Sequence, residues 1–548
     1  MQYGSFIKRI ENSIKKNWNY DALTDYEGAT LQYKDVARKI AKFHIVFEAS
    51  GIKPGDRIAI CGKNSSNWCL SFLATVTYGA VAVPIQREFK ADDVMNVVRH
   101  SEARILIVSP HMWENMQEST MPDLYCAVSI RDFSVLMARD EKFYDIIDHR
   151  NEMFGRKYKR NFSAADVSYR EEEPEEMALI NYTSGTTGFS KGVMLPYRCL
   201  EVNVMCLEKQ LPLKAGDNIV SMLPLGHVFG MTCDFLNSVS RGTHLWFLTR
   251  QPSPKVITTV VAQINPRVIC CVPLVVEKII KKLILPKVDN QRAGLLLRLP
   301  IISDHIKAKA RQEAINCFGN NIHSIIIGGA PLNADIEAFL RKIKFPFTVA
   351  YGLTETGPLI SHANPDEFRP RSCGQMIPGI ELKIDKPNAD GIGELLCRGG
   401  NLMLGYYKNH EATDEVIDRD GWFHTGDMAW MDSDDFVYLK GRCKNMLLGA
   451  DGENIYPEPI ESKLNNMEGV AESVVIKQGE QLVALIYPDA SQLEPDMPIE
   501  RIEQIMQANV NALNRELPGY SRIARFEIWP EPFEKTAKNS IKRYLYLR

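Results

Sequence analysis

The feature that most limits the fold is an alternation of short β-branched runs with amphipathic stretches over most of the first 350 residues. Apolar runs stand at 57–61, 80–84, 105–108, 219–222, 243–248, 268–272 and 324–327. Helical patterns such as 68–78 and 91–100 separate them. Uninterrupted apolar strands joined by helices predict parallel sheets covered on both faces.

The pattern of apolar and polar residues changes twice toward the C-terminus. From about residue 373, alternating segments punctuated by glycine (380–384, 393–398 and 436–439) predict antiparallel β structure in a small barrel. Beyond Arg442 we predict helices at 458–465 and 499–515 and strands at 471–477 and 482–487. The predicted fold class is therefore α/β. A large N-terminal domain, 1–442, holds two parallel-rich sheets with helices and the barrel at about 373–441, and a small mobile α+β C-terminal domain spans 443–548.

Composition limits the partners and the compartment. The 65 basic and 68 acidic residues are well mixed and leave a net charge of −3, so no large single-sign field attracts nucleic acid. Twelve cysteines without CxxC pairs predict a reducing, cytoplasmic setting. No signal peptide or membrane-spanning run is evident. Ile7, Ile10 and Ile14 share one helical face, which favours either packing within the domain or peripheral membrane contact.

Residues 182–194 consist mainly of Gly, Ser and Thr and include Lys191. Small residues let a backbone turn tightly so that its N–H groups, the hydroxyls and the lysine converge on an anion. The spacing Gly-x-x-Gly-x-x-Lys-Gly differs from that of the Walker loop. The segment is interpreted as a polyphosphate cradle, and an ordinary polar loop is the alternative. Its candidate ligands are Thr183, Ser184, Gly185, Thr186, Thr187, Gly188 and Lys191.

Two later segments could hold the rest of a nucleotide. The run 324–331 is a strand ending in small residues that would let a flat ring approach the backbone; an ordinary strand-to-helix turn is the alternative. In 351–356, a base can stack on Tyr351, Thr354 can reach a phosphate, and Glu355 can hold Mg²⁺. Alternatively, Thr354 caps a helix there.

Three further segments complete the pattern. Asp427, in a polar turn, could accept both hydroxyls of a ribose, although Gly-Asp is also a common turn. Arg442 and Lys444 place two cations at the predicted domain junction. The run 449–460 is a glycine-bearing loop before a helix that starts with proline, a pattern also typical of a simple hairpin and cap.

In this order and at these spacings, the segments resemble the adenylate-forming superfamily, which contains acyl-CoA synthetases, adenylation domains of peptide synthetases and firefly-type luciferases. The resemblance extends from about residue 20 to 546. The run 457–461 and the spacing between Ser109 and Ser163 are most similar to long-chain fatty-acid enzymes of bacterial type.

The resemblance implies a two-step reaction, in which a fatty acid attacks the α-phosphate of ATP and a thiol, usually that of CoA, then displaces AMP. It implies that the cradle holds the β- and γ-phosphates and that Thr354 contacts the α-phosphate. Glu355 would ligate Mg²⁺, and Asp427 and Arg442 would hold the ribose. The adenine would lie between the following residues: Gly329, Ala330 and Pro331 on one side and Tyr351 and Gly352 on the other.

The resemblance assigns three more positions. His227 would help to place the carboxylate or thiol, whereas a lone histidine is otherwise more often structural. Lys444 would be the hinge about which the small domain turns. Gly452, within the glycine-bearing loop, would approach the nucleotide and the pantetheine tunnel.

One position departs from the family pattern. Relatives read Thr-x-x-x-Lys-Ile near the C-terminus, whereas this chain has Ser540 where the catalytic lysine stands. Lys538 is the candidate substitute, because residues two apart in an extended segment share a face; Lys542 is a second candidate. Two alternatives to a CoA ligase stay open. One is an enzyme that loads an acyl carrier protein, and the other is a member that binds acyl-adenylates but activates acids poorly.

Overall fold

The computed structural model describes residues 3–183, 191–249, 253–288, 304–449, 453–490, 492–494, 497–535 and 541–547. Its described residues fall into two compact units. The first unit comprises 3–183, the described parts of 191–381, and 398–423. The second comprises 382–397 and the described residues from 424 onward. The predicted boundary after Arg442 stays a prediction.

An eight-stranded sheet forms one layer of the first unit. Its five central strands are parallel, and antiparallel strands close both edges. In spatial order the strands are Gly405–Tyr406, Lys191–Pro196, Met177–Thr183, Val81–Ile85, Arg57–Cys61, Ile105–Val108, Cys126–Ser129 and Val135–Ala138.

A seven-stranded sheet forms the second layer, parallel except for one edge strand. In spatial order its strands are Phe347–Val349, Ser324–Ile327, Val268–Cys271, Asn218–Ser221, His244–Phe247, Asp21–Asp25 and Thr30–Gln32. A separate three-stranded sheet follows: Tyr351–Gly352, Leu359–His362 and Gln375–Met376. The α/β fold with parallel-rich sheets is confirmed.

Helices connect and cover these strands. The described α-helices of the first unit are Phe6–Lys16, Tyr33–Ala49, Ser66–Tyr78, Ala91–Ser101, Pro110–Trp113, Lys142–Lys157, Tyr197–Gln210, Asn237–Arg241, Pro254–Ile264, Pro273–Ile279, Leu285–Val288, Asp304–Phe318, Ala334–Lys342 and His410–Asp414, with π-helical turns at Gly230–Leu236 and Ile280–Ile284. The Ser66–Tyr78 helix has clear local causes at both ends. The Ser65 hydroxyl accepts from the Trp68 N–H, and Gly79 takes a φ of 92°.

The N-terminal helix, Phe6–Lys16, packs within its own unit. Phe6, Ile7, Ile10 and Ile14 are completely buried, and Ser13 donates to the carbonyl of Val239. Of the two interpretations of this apolar face, the structure supports packing. No described helix has the length and apolar character needed to cross a membrane.

The second unit contains the remaining sheets. Residues 373–441, predicted as a small barrel, supply most of a four-stranded sheet: Ile380–Asp385, Gly393–Gly399, Phe423–Met431 and Val437–Arg442. At the ends of three of these strands, residues 380–381, 398–399 and 423 belong to the first unit, and the rest of the sheet belongs to the second. Two smaller sheets are Leu447–Leu448 with Asn454–Ile455, and Val470–Gln478, Gln481–Pro488 and Ile523–Ile528. Helices Pro457–Leu464 and Ile499–Glu516 pack around a core that includes Leu464, Val475 and Met506.

Candidate active site

Two strands hold the ends of the predicted phosphate cradle. Thr183 ends the Met177–Thr183 strand, Lys191 begins the Lys191–Pro196 strand, and the two residues are paired in the antiparallel ladder. The connecting residues Ser184, Gly185, Thr186, Thr187 and Gly188 lie outside the described residues. Because both strands are part of the large sheet, the ends of the cradle are fixed to the core of the first unit.

Tyr406 connects Lys191 to Glu355. The Lys191 Nζ lies 4.7 Å from the centre of the Tyr406 ring, within cation–π range. The Tyr406 hydroxyl donates to Glu355 Oε1 over 2.9 Å. Burial, followed by the Glu355 charge, raises the pKa of Tyr406, so its hydroxyl remains a donor. The structure thus links the cradle lysine to the predicted magnesium ligand.

Sequence reasoning missed Tyr406. It belongs to the two-residue strand Gly405–Tyr406, which pairs with the Lys191–Pro196 strand more than 200 residues earlier in the chain. The only local signal was an aromatic pair after a glycine, which is common on edge strands. Its importance follows from the sheet pairing.

The predicted adenine walls meet through strand register. The neighbouring parallel strands Ser324–Ile327 and Phe347–Val349 pair Ile327 with Val349, so Gly329 and Tyr351 both lie two residues beyond this pair. Parallel strands present their carboxyl ends at one edge, where ligands of open α/β sheets bind. Gly329 has a φ of 84° and, with Ala330 and Pro331, is exposed. The structure therefore brings the two predicted walls to one edge.

The segment that carries Thr354 and Glu355 is held tightly. A Cβ on Gly352 would come within 1.7 Å of the Pro358 carbonyl oxygen, so only glycine fits there. Thr354, Glu355 and Thr356 form a 3-10 turn in which Thr354 is buried and Glu355 is half-buried. The Glu355 carbonyl also accepts from the Met403 N–H at 2.9 Å. Side chain and backbone together fix Glu355.

His227 lies where the two large sheets approach each other. The buried Gln86 side chain, just after the Val81–Ile85 strand, donates from Nε2 to His227 Nδ1 over 3.2 Å. A Cβ on Gly226 would come within 2.9 Å of the Ile85 carbonyl oxygen, so the two strand ends approach closely. Gln86 was not predicted, because its role depends on contact between distant strands.

In the second unit, Asp427 and Arg442 face each other. They are paired residues of neighbouring antiparallel strands, with 2.9 Å between Arg442 Nε and Asp427 Oδ1. The Asp427 side chain is 9% exposed and that of Arg442 is 50% exposed, so the carboxylate is anchored while the guanidinium reaches solvent. The Asp427 N–H donates to the Thr425 hydroxyl, which donates to the Leu395 carbonyl.

The remaining predicted positions are less defined. Lys444 is exposed in the 3-10 turn Cys443–Asn445, and its role as a hinge stays a prediction. Gly452, Lys538 and Ser540 lie outside the described residues.

The residues that flank 536–540 are firmly held. Lys535 and Ile541 form a β-bridge, and Lys535 is paired with Glu472. The Lys542 N–H donates to the Glu534 carbonyl, and its Nζ lies 3.3 Å from a Glu534 carboxylate oxygen. Lys542 is therefore close to a carboxylate, and whether Lys538 or Lys542 substitutes for the missing lysine stays a prediction.

Comparison with known proteins decides the family. Residues 10–407 match the family described as AMP-binding enzyme, and residues 444–548 match the AMP-binding enzyme C-terminal domain. The chain belongs to the AMP-binding enzyme family.

Among relatives of this AMP-binding enzyme is the long-chain-fatty-acid–CoA ligase ACSBG2 of Rattus norvegicus, 29% identical over 489 residues, which are 83% of this chain and 72% of the rat protein. The Homo sapiens ACSBG2 is 26% identical over 486 residues, covering 83% and 71%.

Solved structures share the fold. The anthranilate CoA ligase AuaEII in complex with anthranoyl-AMP has a TM-score of 0.77 at 19% identity, covering 99% of this chain and 96% of its own. ATP-bound MatB from Rhodopseudomonas palustris also has a TM-score of 0.77, at 20% identity, covering 100% and 98%.

Proposed function

We propose that this AMP-binding enzyme activates a medium- or long-chain fatty acid with ATP and transfers the acyl group to CoA. The acid carboxylate would attack the α-phosphorus, giving an acyl-adenylate and pyrophosphate, and the CoA thiol would then displace AMP. The chain of contacts from Lys191 through Tyr406 to Glu355 supports the proposal, because a cation at the end of the predicted cradle and a carboxylate contact the same tyrosine. The names of the rat and human relatives support the acyl class.

Each residue of the first unit would have a distinct role. Lys191 would neutralise charge on the β- and γ-phosphates, and Thr354 would donate to the α-phosphate. Glu355 would hold Mg²⁺, which prefers carboxylate oxygens, and Tyr406 would orient that carboxylate through its hydrogen bond to Oε1. When bound, Mg²⁺ would supply further neutralisation of phosphate charge. His227 would help to place the acyl carboxylate or the thiol.

In the second unit, Asp427 would accept hydrogen bonds from the ribose hydroxyls. Arg442 holds Asp427 Oδ1 through Nε and donates from Nη1 to the Thr425 carbonyl, so Nη2 would be the nitrogen offered to a ligand oxygen. We also place the protein in the cytoplasm, since its twelve cysteines are all free thiols.

The replacement of the family's lysine by Ser540 favours a second candidate, a member that binds acyl-adenylates but forms them slowly. A hydroxyl cannot neutralise developing negative charge as an ammonium does, and loss of such a contact costs about a hundredfold in rate or more. Efficient activation therefore requires another cation, for which we propose Lys538.

Acid-dependent pyrophosphate release tests both candidates across fatty acids of graded length. We expect Lys538→Ala to abolish release and Lys542→Ala, the matched control, to retain most of it. If wild-type protein releases little pyrophosphate and Ser540→Lys releases much more, the slow-activating candidate is correct. The mass of the product with CoA or with an acyl carrier protein identifies the thiol acceptor.

A further inference from the structure

A cavity of about 180 Å³ lies in the first unit, away from the residues assigned above. It is enclosed by the helices Tyr33–Ala49 and Lys142–Lys157 and by the strands Ile105–Val108 and Cys126–Ser129. Its inner wall is apolar and consists mainly of Val46, Phe47, Ile105, Ile107, Val128 and Ile147. We call it the basic pocket because of the residues at its mouth.

Three cations line the mouth of the basic pocket: Lys39, Lys42 and Arg150. All three are half-buried. Lys42 donates to the neutral amide of Asn151 over 2.8 Å, and Arg150 donates to a backbone carbonyl. Among the described residues, no carboxylate lies within 4 Å of their charged nitrogens, although other cations on the same helices have such partners. Lys42 Nζ also lies 5.4 Å from the centre of the Phe154 ring. The three cations are therefore close together and lack a direct carboxylate partner.

The positive charges around Lys42 make its own charged form less favourable. Burial, followed by the charges of Lys39, Arg150 and Arg38, lowers the pKa of Lys42. The one acidic side chain of the lining, Asp132, is exposed and accepts hydrogen bonds from Ser134 instead. A bound anion would relieve the repulsion between the cations.

The Lys142–Lys157 helix covers the pocket with few anchors. Of its sixteen residues, only Phe143 and Ile147 are buried. The cavity has roughly six times the volume of a water molecule in the liquid, which suits a short stretch of alkyl chain.

We propose that the basic pocket binds a free fatty acid, with its alkyl chain against the apolar wall and its carboxylate at Lys39, Lys42 and Arg150. An apolar wall selects against nucleotides and sugars, and a cationic mouth selects against neutral hydrocarbons. Binding here requires no acyl transfer, so it is independent of the proposed reaction.

Photo-crosslinking of the full chain tests the site. Purified protein without ATP is labelled with octanoic acid that carries a terminal diazirine, and labelled peptides are located by mass spectrometry. We expect labels within 33–49 and 142–157, and competition by unlabelled octanoate. The double variant Lys39→Gln, Arg150→Gln should reduce this labelling by about five- to thirtyfold, as expected for two partly exposed ion pairs. The control Lys34→Gln, Lys53→Gln removes the same charge elsewhere and should leave labelling unchanged.

Several results would overturn the proposal. Equal labelling by the matching diazirine alcohol would show that the cations do not select a carboxylate. Protection of 33–49 and 142–157 only by vesicles of anionic lipid would mean that the face binds membranes. Absence of labels there in wild-type protein would exclude the site without relying on a variant. Pyrophosphate release is assayed separately, so labelling without release would refute the proposed function alone.

Discussion

Replacing Tyr406 with phenylalanine tests the contacts that join the cradle to Glu355. The ring under Lys191 is retained and only the hydroxyl is lost, so the change isolates the 2.9 Å hydrogen bond to Glu355 Oε1. A hydrogen bond to a charged group contributes about 1.5–3 kcal/mol, and partners that orient a metal ligand typically affect metal affinity or activity about 10–100-fold. We therefore expect Tyr406→Phe to lower the rate of pyrophosphate release about 10–100-fold at limiting Mg²⁺.

The assay measures release at saturating acid and ATP over a range of Mg²⁺ concentrations. Tyr407→Phe is the matched control, because its hydroxyl contacts Glu102 at 3.3 Å and not Glu355. Thermal unfolding of both variants separates a local effect from a general loss of stability. If Tyr406→Phe stays within about threefold of wild type at every Mg²⁺ concentration, the hydroxyl does not position Glu355. An equal loss in Tyr407→Phe would also refute the reasoning.

Three further predictions concern stability. Burial raises the pKa of Asp234 to about 8, so the folded carboxyl keeps a proton that the unfolded chain loses above its ordinary pKa of 3.8. The free energy of unfolding should therefore fall from about pH 4 to 8. The Tm of Asp234→Asn should exceed that of wild type by a margin that grows over this range, and a constant margin would contradict the reasoning. Gly352→Ala should lower the free energy of unfolding, measured by urea titration, by at least about 2 kcal/mol, because the added Cβ would overlap a carbonyl oxygen. The control Gly155→Ala, in an open helical position, should be neutral or slightly stabilising. Arg543→Met should destabilise the second unit by about 3–5 kcal/mol, since it leaves the buried Glu461 carboxylate without its ion-pair partner. Adding Glu461→Gln to this variant should recover much of the lost stability. If it recovers none, the ion pair is unimportant for stability.

The sequence predicted the layers well because their signals are local. Uninterrupted apolar runs marked the central strands, and the 57–61, 105–108 and 324–327 predictions coincide with observed strands. The strand Ile523–Ile528 was missed, since its pairing with Gln481–Pro488 depends on a partner about 40 residues earlier.

For the site, the residues that carry chemistry stay predictions from the sequence, and the structure adds the contacts that hold them. Tyr351 and Gly329 were identified by residue type, yet only strand register explains why they share an edge. Tyr406 and Gln86 support Glu355 and His227 from other strands, and no local pattern distinguishes such supporting residues from ordinary polar ones.

After Ala350 the chain leaves the parallel sheet, and this affects the width of the gap beside Gly329. Neighbouring strands are about 4.8 Å apart, whereas a flat ring with a wall on each face needs about 7 Å. The Ala350 N–H still bonds to Ile327, but Tyr351 then pairs with Ser361 of another sheet. Because of that change of partner, Tyr351 is not held at the strand spacing from Gly329. We expect a variant that continued the parallel ladder by two residues to make the predicted adenine slot narrower than a purine.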